Sequence, residues 1–284
     1  MADTPDPIGH PARGAYGVAV SGLESENHLL IAAEPDWPVL RIVVDPSPAE
    51  AGDTHLSDDV ARFPDVPTGH TEVDRKAGVA CFRGVEGLSL DEIVHPRLGM
   101  LAALYAQWLP GRMSFHAGAF VSAGRAWAVV GERFDGKSTL MAALALAGVP
   151  VMGDDTLVLD ELHCLPGVRC VDLRPEAAGR LGVDDEAASV RHGWRHRLVL
   201  NGTPRAAPLG GWFFLEWADE VSVRALSMQE RIARIATYRG WHRRGVTEPA
   251  GLLDVAALPA WELRRPRDWA QLPRVLEQVR ELAT

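Results

Sequence analysis

The segment Gly131-Glu132-Arg133-Phe134-Asp135-Gly136-Lys137-Ser138 carries the spacing G-x-x-x-x-G-K-[ST]. That spacing suits a loop whose backbone N–H groups turn inward around phosphate oxygens. Gly131 and Gly136 supply the dihedral freedom such a turn needs. A helix beginning at Lys137 aims its N-terminal amides and the positive end of its dipole at the anion. Lys137 adds a point charge for the terminal phosphates. The hydroxyl of Ser138 suits a Mg²⁺ ligand, and Thr139 follows it in the first helical turn. Arg133 is placed to assist the phosphates. Glu132 and Asp135 must point away from them or approach the metal. The plainer alternative is a glycine turn that happens to precede a helix.

Asp154 and Asp155 follow Lys137 by seventeen and eighteen residues, at the end of a short strand. Strand ends beside a phosphate loop are where an α/β sheet collects catalytic groups. Two carboxylates there divide the work: one for the metal, the other for the proton of an attacking hydroxyl. Adjacent like charges raise one of the two pKa values. A solvated Gly-Asp-Asp turn is the alternative. His116 lies on a strand fifteen residues ahead of Gly131, within reach of the terminal-phosphate side. A structural strand histidine is the competing assignment.

The elements that must position these groups are visible as well. Ala126-Trp127-Ala128-Val129-Val130 is a buried-type strand running into the loop, and Lys137 to Ala147 an apolar helix with Gly148 as its C-cap. Strands are expected at 114–122 and 125–130 with Ala123-Gly124 turning between them, at Val149 to Met152, at Thr156 to Leu159 and at Gly211 to Trp217. Ser227 with Glu230 predicts a capping box opening a helix over 227–239. A terminal helix spans 268–282, starting near Asp268. Upstream, 90–109 has helical spacing and stops at Pro110-Gly111. Short strands are expected at 14–21, 28–33 and 39–44, a loop at 45–70 and a hairpin at 71–85. The expected organisation is a disordered lead-in over 1–10, a β-rich region over 11–88 and an α/β phosphate-loop domain over 89–284.

Composition narrows the function classes. With 47% apolar and 24% charged residues over 284 positions, the chain is not disordered by charge excess. No apolar run reaches the ~18 residues of a membrane span. The N-terminus MADTPDPIGH has neither a basic nor an apolar signal region, so a cytoplasmic protein is expected. A pI near 5.6 disfavours nucleic acid as a partner. Cys81, Cys164 and Cys170 make no disulfide framework and read as small buried residues. Only Lys76 and Lys137 are lysines among 29 basic residues. Residues 190–284 carry net +5 against −14 before them, with clusters at Arg191, Arg195 and Arg197 and at Tyr238 to Arg244. Each cluster is a candidate anion or substrate loop, or a solvated basic turn.

The stretch SFHAGAFVSAGRAWAVVGERFDGKSTLMAALALAGVPVMGDDTLVLD resembles the catalytic core of the HPr kinase/phosphorylase family. It is closer to the HPr-kinase-related proteins of peptide-biosynthesis clusters. A strand histidine, a hairpin, the phosphate loop, a helix ending in glycine and a strand ending in Asp-Asp occur in the family's order. The resemblance covers about 45 of 284 residues. It implies a phosphate-loop (Walker A) kinase core that binds ATP through Lys137 and the loop and holds Mg²⁺ with Ser138 and Asp154. It implies Asp155 as the base and His116 near the reacting phosphate. It is compatible with a homo-oligomer. The loop interior lacks the family's usual small residues. Neither its later signature segment nor its HPr-engaging basic loop is recognisable, so HPr is not the expected substrate. The expected activity is transfer of the γ-phosphate to a hydroxyl, a Ser of a peptide or protein. A small-molecule kinase and a nucleotide-binding regulatory module are the alternatives.

Overall fold

The computed structural model describes residues 12–65, 67–202, 204–240 and 249–284. The lead-in expected over 1–10 lies outside these residues, as do Trp241 to Arg244 of the second basic cluster. The fold is mixed α/β with three sheets. No helix among the described residues is long and apolar enough to cross a membrane.

The first sheet has eight strands in the order Ile31–Ala32, Arg13–Ala15, Val18–Ser21, Val39–Asp45, Val79–Arg83, His70–Asp74, Val60–Pro64, His55–Leu56. Period-two alternation gives it one buried face: Leu40 and Ile42, Ala61 and Phe63, and Ala80 and Phe82 point inward. These residues share a core with Leu98, Leu101 and Leu104 of helix Leu98–Trp108. The hairpin expected at 71–85 is present, turning at Arg75 to Gly78.

Three local expectations need correction. The segment 14–21 is two strands folded at Tyr16 and Gly17, whose φ values are +56° and +77°. The loop expected at 45–70 contains the strands His55–Leu56 and Val60–Pro64, because apolar alternation over a few residues is hidden by flanking Pro and Asp. The helix expected over 90–109 is broken at Ile93–Arg97, where Pro96 sits inside the helical stretch and His95 has non-helical dihedrals. A proline there removes an amide donor and crowds the preceding turn.

The second sheet has nine strands. Arg125–Val130 runs antiparallel to Ala117–Ser122 and parallel to Ala207–Trp217, which runs parallel to Ala260–Arg265. The strand expected at 211–217 therefore begins four residues earlier. Both faces of this sheet are covered. Trp127 and Val129 join Leu140, Met141 and Leu144 of helix Lys137–Leu146 and Val275 and Val279 of helix Leu272–Leu282. Ala126, Ala128 and Val130 face Ile235 and Val255, on helices Met228–Thr237 and Pro249–Ala257. The Ser227–Glu230 capping box forms as expected. A small third sheet, Cys170–Leu173, Arg195–Val199 and Ser189–Val190, lines one cleft together with residues 132–134. The three cysteines are unpaired, two of them buried.

Candidate functional site

The apolar strand Arg125–Val130 delivers the chain to Gly131, where space is short. A Cβ there would lie 3.1 Å from the Cβ of Asp135 and 3.3 Å from that of Leu215. Gly136 has φ +73°, and a Cβ on it would lie 2.8 Å from a guanidinium nitrogen of Arg265. A side chain at Gly136 would thus be strained by its left-handed φ, and one at Gly131 would crowd Asp135 and Leu215. Between them, Phe134 also has positive φ, +79°, which is uncommon for an aromatic residue. It is held by stacking under Arg174 and Arg133, at 4.0 and 5.2 Å, and by Trp217 Nε1 donating to its carbonyl at 3.3 Å. Arg265 donates to the Asp135 carbonyl. The Asp135 carboxylate turns back and accepts from the Glu132 N–H at 2.7 Å, so its charge is used inside the loop.

Lys137 opens its helix and is only 5% exposed. Its Nζ lies 2.8 Å from Nε2 of His116 and 3.4 Å from Oδ1 of Asp155. An ammonium can only donate, so Nε2 accepts and the imidazole is neutral with its proton on Nδ1. Burial, and then the Lys137 charge, push the His116 pKa down in agreement. His116 is brought there by a break in the expected strand 114–122. Arg112–Phe115 pairs with Leu157–Asp160, whereas Ala117–Ser122 pairs with Arg125–Val130 and Val151–Gly153. His116 sits between the two pairings, its N–H donating to the Tyr238 carbonyl at 2.8 Å.

The two aspartates have opposite environments. Asp154 is 1% exposed, and neither carboxylate oxygen has a hydrogen-bond partner among the described residues. Burial, and then the Asp155 charge, push it up to about 7. The Ser138 hydroxyl is near enough to oppose that rise, though outside hydrogen-bonding geometry. Asp155 has φ +64° and a 39% exposed side chain. Its burial acts to raise its pKa, but Lys137 first, then His95 and His116, outweigh that and hold it below the usual carboxylate range. One carboxyl is therefore buried and reluctant to ionise; the other is ionised and open to the cleft.

The structure adds His95, which sequence reasoning left inside a continuous helix. It is 2% exposed, and one ligand atom each from His95, Asp154 and Asp155 lie within 4.8 Å of one another. The available signal was Pro96, which makes an uninterrupted helix improbable at that point.

These groups line part of a cleft of about 720 Å³. Lys137, Ser138, Thr139, Asp155, His95 and His116 line it together with Arg133, Arg174, Arg191, Arg195, Arg265 and Arg267. The cluster Arg191, Arg195, Arg197 splits. Arg197 makes a two-bond pair with buried Asp172 at 2.7 and 2.8 Å. Arg191 joins Asp172 at 2.9 Å. Both also donate to the His95 carbonyl. Of the three, Arg197 is withdrawn from any ligand, contrary to expectation, because a buried carboxylate claims its guanidinium.

No family model matches this chain, and no curated protein matches it. Among solved structures the chain is similar to the Hpr(Ser) kinase/phosphatase from Coxiella burnetii. The two are 13% identical, with a TM-score of 0.29, over 60% of this chain and 96% of that one. A likeness so distant transfers no residue role, and the site stands on its own geometry.

Proposed function

We propose that the protein is an ATP- and Mg²⁺-dependent phosphotransferase acting on a hydroxyl, a Ser of a peptide or protein. The observation that carries this reading is the meeting of Lys137, Asp155 and His116 within 3.4 Å at the mouth of a glycine-bounded loop opening a helix. The residues fit the group: the loop opens onto a helix N-terminus, which favours phosphate, and Asp154 is a buried carboxyl with neither oxygen partnered. When bound, the metal-nucleotide supplies an electrophilic terminal phosphoryl group. Residues Gly131, Glu132, Arg133, Phe134, Asp135, Gly136 and Thr139 form the phosphate cradle, and Ser138 with Asp154 would hold the metal. Lys137 stabilises developing charge. Asp155 is ionised and open to the cleft, so it accepts the proton of the attacking hydroxyl. His116, neutral, fixes the position of the Lys137 ammonium.

The test is incubation of the full chain with ATP and Mg²⁺ against panels of peptides and of metabolites, read by mass spectrometry. A mass gain of one phosphoryl group on a Ser-containing peptide is expected. A gain only on metabolites makes it a small-molecule kinase; ATP binding with no transfer makes it a regulatory module. Lys137→Ala should lower kcat/KM by about 10²–10³-fold, the usual worth of a charge-stabilising donor, with circular dichroism unchanged.

A further inference from the structure

Two aspartates and a histidine meet at this site, although nothing in the phosphate-loop pattern calls for an imidazole among them. We propose that His95, Asp154 and Asp155 form a binding site for a divalent transition-metal ion of the Mn²⁺-to-Zn²⁺ series, occupied without nucleotide. The proposal shares its carboxylates with the phosphotransfer reading above.

Three observations carry it. First, the geometry is compact: the three ligand atoms lie within 4.8 Å of one another. Second, Asp154 is 1% exposed with both oxygens unpartnered, next to a second carboxylate. A buried carboxylate costs several kcal/mol unless a proton or cation neutralises it. Lys137 does not fill that role directly, since its ion pair is with Asp155. Third, His95 is 2% exposed yet lines the cleft, while its backbone is fixed. Its carbonyl accepts from Arg191 at 3.2 Å and Arg197 at 3.4 Å, and both arginines are anchored on Asp172. Buried Arg197 and partly exposed Arg191 thus fix the stretch of backbone that carries His95.

The donor set decides the class of ion. Mg²⁺ prefers oxygen ligands and retains water, whereas imidazole suits the transition series, with affinity rising from Mn²⁺ towards Cu²⁺. One nitrogen and two carboxylate oxygens are a mixed set that accepts Mn²⁺, Co²⁺ or Zn²⁺. Each aspartate need give one oxygen only, which leaves the second oxygen of Asp155 available to a hydroxyl proton.

The experiment uses the nucleotide-free full chain and Mn²⁺ as the probe. Titration followed by electron paramagnetic resonance should show one bound Mn²⁺ per chain. Electron spin-echo spectra of that complex should carry nitrogen coupling from a directly bound imidazole. In His95→Gln the coupling should vanish and Mn²⁺ affinity should fall at least tenfold, with Mg²⁺ affinity changed less than threefold. Asp154→Asn should abolish Mn²⁺ binding. No bound Mn²⁺, or bound Mn²⁺ whose nitrogen coupling survives in His95→Gln, overturns the proposal. Should His95→Gln fail to fold, the coupling is read in His116→Gln, where it should persist; its loss there makes His116 the nitrogen ligand and overturns the proposal. Binding of a fluorescent ATP analogue with Mg²⁺ is measured in parallel. Analogue binding without Mn²⁺ binding overturns this inference and leaves the phosphate-loop reading intact; Mn²⁺ binding without analogue binding does the reverse.

Discussion

Residues 131–138 and residues 191–197 both look like anion sites in sequence, dense in charge and supplied with glycine. The structure uses their charges in different ways. In the first, Lys137 projects into the cleft with a neutral imidazole and a carboxylate as its neighbours. In the second, Arg191 and Arg197 close on Asp172, whose side chain is 2% exposed, and on the His95 carbonyl. The cleft wall that an anion would meet also holds Arg195, Arg174 and Arg133, drawn from three separate places in the chain. None of these three forms an ion pair among the described residues. A phosphate loop is a local device: backbone amides, two glycines and one lysine within eight residues define it. An arginine's role depends on which carboxylate lies opposite, and no spacing encodes that.

The largest expected difference is between loss of chemistry and loss of fold. Asp155→Asn keeps the shape of the side chain and removes the proton acceptor. It should lower kcat by about 10²–10⁴-fold, the usual worth of a general base, with the thermal midpoint little changed. A rate within threefold of that of the unaltered chain would remove Asp155 as the base.

On the arginine side the effect should fall on stability. Asp172→Ala leaves Arg197, with a 6% exposed side chain, charged and without its carboxylate. Breaking a buried pair from one side costs about 3–5 kcal/mol, which urea denaturation would read directly. A cost under about 1 kcal/mol is the value of an exposed pair and would erase the contrast between the two segments.

Arg195 tests whether any of the segment serves a ligand. It lines the cleft and bonds only to the carbonyl of its neighbour Trp194, at 2.8 Å. Arg195→Ala should raise KM for an anionic acceptor by about three- to tenfold at low salt, and less at high salt, where exposed charges are screened. Nucleotide affinity without acceptor should stay within about twofold, because the loop amides supply it. An unchanged KM at low salt would return Arg195 to the class of solvated surface charge.

The same distinction explains what was legible in the sequence. The hairpin at Ala123-Gly124, the helix from Lys137 and the strand into Gly131 are written in residues that are chain neighbours, and all appear where expected. His95 was not visible because its importance comes from Asp154 and Asp155, some sixty residues away, and from a break in a helix whose apolar spacing continues on both sides. The split of 114–122 into two strands was hidden for the same reason. Alternation carries through His116, but the strand changes partners there.

The capping box is the smallest and cleanest control on that argument, since it is local, was expected from sequence and lies apart from the cleft. The Ser227 N–H donates to Oε2 of Glu230 at 2.9 Å, and the Ser227 hydroxyl donates to the same oxygen at 2.8 Å. These bonds, Ser227's backbone first, then its hydroxyl and then Arg224, lower the Glu230 pKa to about 2 from 4.5. The sign follows: with the folded value depressed, the carboxylate's contribution is fully present above pH 4.5 and is lost as pH falls through about 2. Glu230→Gln should therefore lower the thermal midpoint at pH 6 and change it far less near pH 2, where the folded carboxyl is about half protonated and most of its contribution is gone. Ser227→Ala should cost about 1 kcal/mol at pH 6. If Glu230→Gln lowers the midpoint equally at both pH values, charge is not what closes the box, and the second acceptor oxygen is.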